Sequence, residues 1–153
     1  MGGLNIKSEV TKKPALAIKK SVLVVSVLMF VSGAIYFYAA YSQMQESSEQ
    51  DSQIQTMFFA ASGTIFIPLG IWMLKNKLYS RAPYVISIIV SAGLVLFYIA
   101  SRTISLPVVG MQDDVGPLDI ASKVIQLAII AMSVPVMQKL RKFQVHPDDW
   151  HNY

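Results

Sequence analysis

At 153 residues, 54% hydrophobic and 14% charged, the chain is too apolar for an average soluble domain, and its apolar runs leave no length for a separate soluble catalytic one. The net charge of +4 does not imply a nucleic-acid partner, because the cations flank apolar runs instead of forming one continuous stripe. No cysteine is present, which excludes disulfides, thiolate metal sites and cysteine lipidation.

Of 13 Lys and Arg, 11 fall in three segments, Lys7 to Lys20, Lys75 to Arg81 and Lys139 to Lys142. Between them lie four apolar runs, about 21–41, 54–74, 83–101 and 118–138. A run of roughly 18 or more apolar residues can cross a ~30 Å hydrocarbon layer as a helix. The other two connections hold Arg102 and Lys123 as their cations, together with Glu46, Glu49, Asp51, Asp113, Asp114 and Asp119. Cationic connections stay in the cytoplasm. The alternation therefore predicts an all-α, integral membrane, antiparallel four-helix bundle with both termini cytoplasmic, a single four-span domain over 1–153 in the cell membrane. Anionic lipid headgroups at the cytoplasmic face are the expected partners of the basic segments.

In chain order, residues 1–13 are polar and read as a loose N-terminal arm, with Pro14 suited to the first turn of helix one. The first apolar run is about twice the length of a signal h-region and is expected to be a retained span. Lys19 and Lys20 would sit at headgroup level, and Tyr36, Tyr38 and Tyr41 would mark the opposite interface. Ser42 to Gln53 reads as a polar, acidic outer loop, with room to extend a helix end by a turn. The second span carries Pro68, a predicted kink, and Gly63 and Gly70, places for close helix contact. The short basic connection Lys75 to Ala82 predicts that spans two and three are antiparallel neighbours. Pro83 suits a first helical turn, and Ser87 and Ser91 share one face of the third span. Pro135 interrupts the fourth span near its cytoplasmic end, and 143–153 form a C-terminal tail with Trp150 and Tyr153 as anchors. The arm and tail are expected to need neighbouring subunits to order them.

The densest polar constellation is the outer connection from Ser101 to Lys123. Pro107, Gly110 and Gly116-Pro117 predict a defined loop. Pro117 fits the first turn of the fourth helix, where Asp119 complements the positive helix end. Asp119 and Lys123 are four apart in the order that favours pairing, and Arg102 ends the third span close enough to join them. Arg102, Asp113, Asp114, Asp119 and Lys123 are accordingly read as a structural cluster fastening the loop to the bundle. Two functional readings stand beside it: access for an ion or substrate, and docking against another subunit.

The string Arg102-Thr103, Leu106-Pro107-Val108-Val109-Gly110, Gln112-Asp113-Asp114-Val115-Gly116, Leu118-Asp119 and Ser122-Lys123 resembles the last outer loop of small four-span proteins from ammonia-oxidising archaea. Similar Arg-Thr…Leu-Pro loops occur in small bacterial membrane proteins of unknown role. Some of the archaeal proteins are regarded as extra, non-catalytic subunits of archaeal ammonia monooxygenase, a copper membrane monooxygenase. The likeness spans about 22 residues, and beyond it extends to span count alone. It implies a non-enzymatic accessory subunit packed against larger membrane subunits of one complex, with no cofactor of its own.

The residues themselves weigh against other roles. Copper chemistry wants clustered imidazoles, whereas His146 and His151 are the two histidines and both fall in the tail. His146, Asp148, Asp149 and His151 have metal-ligand types, but no rigid scaffold to fix them, so no metal is expected there. The eight methionines are scattered singly, as packing filler. A small transporter or oligomeric pore is the rival class, and a stand-alone membrane protein of unknown role is the remaining alternative. Transport favours ionisable groups at mid-span, while here the span centres offer Ser26, Ser32, Ser62, Thr64, Ser87, Ser91 and Gln126.

Overall fold

A computed structural model describes residues 6–46, 50–76, 80–104 and 116–145, with side chains placed at 18–45, 53–76, 80–104 and 116–141. It is all-helical: α1 (Ile6–Glu46), α2 (Gln50–Lys75), α3 (Ala82–Thr103) and α4 (Pro117–Val145). Each contains a stretch long and apolar enough to cross a membrane, Ile18–Gln45, Gln53–Lys75, Ala82–Thr103 and Pro117–Arg141. The predicted spans fall inside these four.

Three expectations about the ends are corrected. Helix α1 starts at Ile6, so most of the arm expected at 1–13 is helical and Pro14 stands inside the helix instead of in its first turn. At 41 residues, or about 60 Å at ~1.5 Å per residue, α1 is twice as long as the ~30 Å hydrocarbon layer is thick. The loop expected over 42–53 is mostly helix, because α1 runs to Glu46 and α2 begins at Gln50. That segment has no Gly or Pro to stop either helix. At the other end α4 continues to Val145, into the expected tail.

The prolines expected at the starts of helices three and four take those places. Pro83 stands in the first turn of α3, whose leading amides, Tyr84 and Val85 N–H, donate to the Arg81 carbonyl at 3.1 Å each. Ser80 Oγ accepts from Ala82 N at 3.1 Å, and Asn76 Nδ2 donates to the Ser80 carbonyl at 2.6 Å, so two side chains shape the turn into α3. Pro117 opens α4, where the Gly116 carbonyl accepts from Asp119 and Ile120 N–H.

Buried positions recur at three- and four-residue steps along the helices, as an inward seam requires. They include Val22, Val25, Met29, Ser32 and Tyr36 on α1, Ser62, Phe66, Leu69 and Met73 on α2, and Ser122, Gln126, Ile129, Ser133, Val136 and Leu140 on α4. Helix α1 packs most extensively on α2 and also on α4, which in turn packs on α3. The α1–α2 seam is built on glycine. A Cβ at Gly63 would lie 3.1 Å from the Gly33 carbonyl oxygen, one at Gly33 3.1 Å from Ile67, and one at Gly70 3.3 Å from the Met29 Cβ. Missing side chains are what let these two backbones approach.

Helices α2 and α3, expected to be close neighbours because their connection is short, touch sparsely. The stacked rings of Phe58 and Phe97, 4.7 Å apart, bridge them. Shortness of a turn fixes where one helix begins and the last ends, but not how closely their axes run.

Candidate functional site

The polar groups of the bundle converge where the N-terminal half of α4 faces α1 and α3. Lys123 stands one turn past Asp119. Its Nζ donates to Tyr36 Oη at 3.2 Å, to Gln126 Oε1 at 3.3 Å and, at the limit of hydrogen-bond range, to the Leu94 carbonyl at 3.5 Å. An ammonium has three protons, and here the three acceptors come from α1, α4 and α3. The same nitrogen lies 5.0 Å from the Tyr98 ring centre and 5.7 Å from that of Tyr36, both within cation–π range. Gln126, fully buried, donates its amide to Tyr36 Oη. The Tyr36 ring is held by a parallel stack on Phe66, centres 5.8 Å apart, and a tilted contact with Phe59.

Nearer the helix ends, an Arg102 guanidinium N–H donates to Asp119 Oδ2 at 3.2 Å, tying α3 to the first turn of α4. Arg102 also lies 5.1 Å from the Tyr98 ring centre, so one ring serves both cations. The Arg102 side chain is 15% exposed and that of Asp119 39%, which makes this pair the wetter of the two arrangements. A cavity of about 50 Å³ lies between the helices here, walled by Tyr36, Phe58, Phe97, Tyr98, Asp119 and Lys123 among others. All four helices contribute to it.

Of the five predicted site residues, the structure brings Arg102 and Asp119 together as expected. Lys123 is a correction: no ion pair joins it to Asp119 among the described residues, because its chain turns inward to uncharged acceptors instead of along its own helix face. Asp113 and Asp114 lie outside the described residues, as do His146 and His151. Tyr36, expected at the membrane interface, is 3% exposed, whereas Tyr38 and Tyr41 are well exposed. The seam spacing gives the reason, since Tyr36 continues the buried series through Met29 and Ser32 while Tyr38 and Tyr41 fall off it. That spacing, and the three-residue step from Lys123 to Gln126, were the available signals for the cluster. The role of Leu94 had none, since it acts through its main chain.

No protein family matches this sequence, and no curated protein or solved structure matches it.

Proposed function

We propose that the chain is a non-catalytic accessory subunit of a multi-subunit membrane complex, an antiparallel four-span bundle of the cell membrane with both termini cytoplasmic. The observation that carries this reading is the use made of the half-buried charge. Lys123 is turned to Tyr36, Leu94 and Gln126, so its ammonium joins three helices. Arg102 and Asp119 join the ends of two. A cluster used in this way stabilises a scaffold. Around it the surface is apolar on every helix, with Leu23, Met57, Ile89, Leu96, Val124 and Leu127 among the exposed large side chains, which suits contact with lipid or other membrane helices equally.

The antiparallel arrangement is supported by the order of contacts. Met29 approaches Gly70 while Phe37 approaches Gly63, and Tyr36 meets Gln126 while Ile18 and Leu140 belong to the same core. Numbering rises along one helix as it falls along its neighbour. Exposed Lys19, Lys20, Lys75, Lys139 and Arg141 then share one end, the end assigned to the cytoplasm by charge. The resemblance of the Arg102–Lys123 connection points to archaeal ammonia monooxygenase as the complex, with its larger membrane subunits as partners. Solubilising the native membrane in mild detergent, separating complexes on a native gel and sequencing co-migrating chains tests this. Recovery with larger membrane subunits, copper-binding ones for the named complex, is expected. A monodisperse monomer or pure homo-oligomer refutes the accessory role.

A second reading, a small transporter or oligomeric pore, is favoured by one observation: the cavity of about 50 Å³ has Lys123 and Asp119 in its wall. Solute or ion flux in proteoliposomes containing this chain alone, absent from empty vesicles, would select it.

A further inference from the structure

The Lys123 ammonium has hydrogen-bond acceptors but no counter-charge. Its three acceptors, on Tyr36, Gln126 and Leu94, are all neutral, and among the described residues no carboxylate stands within ion-pair distance of it. Asp119, the acidic residue in the same cavity wall, is engaged by Arg102. One positive charge is therefore left over, about 9 Å past the start of α4. A cation placed inside a span is costly unless it pairs or reaches water.

The cavity of about 50 Å³ beside this ammonium limits what can pair with it. At ~10–15 Å³ for each water-sized group, it takes roughly three to five non-hydrogen atoms. A carboxylate with its first methylene or two fits that space; the phosphate and glycerol of a phospholipid head do not. Phe58, Phe59, Leu94 and Phe97 form apolar wall, and all four are half-buried, so the cavity opens between α2 and α3. Those two helices touch sparsely. One turn from the Phe58–Phe97 stack, towards the short connection between the two helices, each presents a small residue on the same stripe, Ala61 on α2 and Gly93 on α3. Both are exposed, and a Cβ at Gly93 would meet nothing within 4 Å. Exposed Ile65 and Ile86 continue the two stripes. A groove with this lining suits one flexible hydrocarbon chain.

We propose that Lys123 and this groove bind a single-chain anionic amphiphile, a long-chain carboxylate, with its head in the cavity and its tail along the α2–α3 edge. The bond from Lys123 to the Leu94 carbonyl, at 3.5 Å, is the longest of the three, so its proton is the one to turn to a carboxylate oxygen. Tyr36 Oη accepts from Lys123 and Gln126 and has a proton of its own, which makes it a second donor in the same wall. Aromatic rings also attract cations, but with Asp119 offset by Arg102 the remaining charge of the site is positive, which disfavours a cationic ligand. The site is built from this chain alone and depends neither on a partner subunit nor on transport.

The purified full chain, stripped of lipid in mild detergent, is titrated with palmitate, hexadecanol and acetate and read by native mass spectrometry. Palmitate is expected to bind one per chain, tighter than hexadecanol by about tenfold or more, the ratio one charge-assisted hydrogen bond supplies. Equimolar acetate should not displace it. Lys123→Met should lower palmitate binding to the level of hexadecanol, and Phe58→Trp, which leaves every Lys123 contact in place, should weaken both ligands by filling the cavity mouth; circular dichroism checks that each variant keeps its helices. Equal binding of palmitate and hexadecanol by the unaltered chain, or a preference for palmitate that survives Lys123→Met, overturns the head site. Displacement of palmitate by equimolar acetate, or undiminished binding in Phe58→Trp, overturns the groove.

Discussion

Replacing Tyr36 with Phe removes one oxygen and leaves nearly everything else in place. The ring can keep its stack on Phe66 and its position 5.7 Å from Lys123 Nζ. What is lost is the acceptor shared by Lys123 Nζ and the Gln126 amide. Interhelical hydrogen bonds in membranes average about 0.6 kcal/mol, which gives about 1.2 kcal/mol for two. Leaving a buried donor unsatisfied costs about 1–3 kcal/mol, with charged groups at the upper end. Tyr36→Phe should therefore destabilise the bundle by about 1–4 kcal/mol. Lys123→Met exchanges the ammonium for an apolar side chain of similar length, which removes the desolvation cost of the charge but leaves the buried Gln126 Oε1 without its donor.

The decisive quantity is the coupling between the two positions. In a chain carrying Lys123→Met one of the two donors is gone, and Tyr36→Phe should lose about half its effect, a coupling of about 0.5–2 kcal/mol. Reversible unfolding in mixed micelles, followed by helix content or steric trapping, gives the four stabilities. An equal cost of Tyr36→Phe with and without the Lys123→Met change would show that the ammonium does not depend on this phenol. The account of α1 being held to α4 by polar contact would then be wrong.

Gly63→Ala should destabilise by about 1–3 kcal/mol through overpacking, because its Cβ would meet the Gly33 carbonyl at 3.1 Å, whereas Gly93→Ala, whose Cβ meets nothing within 4 Å, should be stabilising by up to about 1 kcal/mol; micelle unfolding distinguishes the pair. Asp119→Ala should reduce stability or recovery of the assembled chain more than Asp51→Ala, but by no more than about 1 kcal/mol, since the ion pair with Arg102 is partly exposed. Equal effects in thermal aggregation assays would reduce the pair to surface charge. Cysteines introduced at Ser48 and Leu78 report sidedness without background in a chain that has none. An impermeant maleimide added outside intact cells should label position 48 and spare 78, and the reverse pattern would invert the topology.

Four spans were legible in the sequence because hydropathy needs no tertiary knowledge: a membrane-spanning helix satisfies its own backbone, so length and apolarity define it. The helix starts at Pro83 and Pro117 were legible for the same reason, since a proline at a first turn is a local matter. The start of α1 at Ile6 was not, because Pro14 resembled an N-terminal signal and the polar residues before it gave no period to set against it. Arg102 with Asp119 was readable from proximity along the chain. Lys123 was misread because an i,i+4 rule compares partners on one helix, and its partners Tyr36 and Leu94 are 87 and 29 residues away. Two halves of the answer were visible separately, the interior spacing of Tyr36 and the shared face of Lys123 and Gln126. Joining them required knowing that α1 lies against α4.

That knowledge is also what the polar groups supply to the chain itself. In lipid, apolar helix faces have little reason to prefer one another over acyl chains, so packing fit and polar contacts select the neighbours. The α1–α2 seam uses fit, through Gly33, Gly63 and Gly70. The α1–α4 and α3–α4 seams use polarity, through Tyr36, Lys123, Gln126, Arg102 and Asp119. Between α2 and α3 neither device is in evidence among the described residues, beyond one aromatic stack, and there the helices touch sparsely. The bundle is therefore weakest along that edge, and the cavity lies against it, with Phe58 and Phe97 in its wall. Any motion that admits a molecule to Lys123 has the least to break by separating α2 from α3. Larger side chains that interlock at Phe58 and Phe97 should close the cavity while leaving the Lys123 contacts intact.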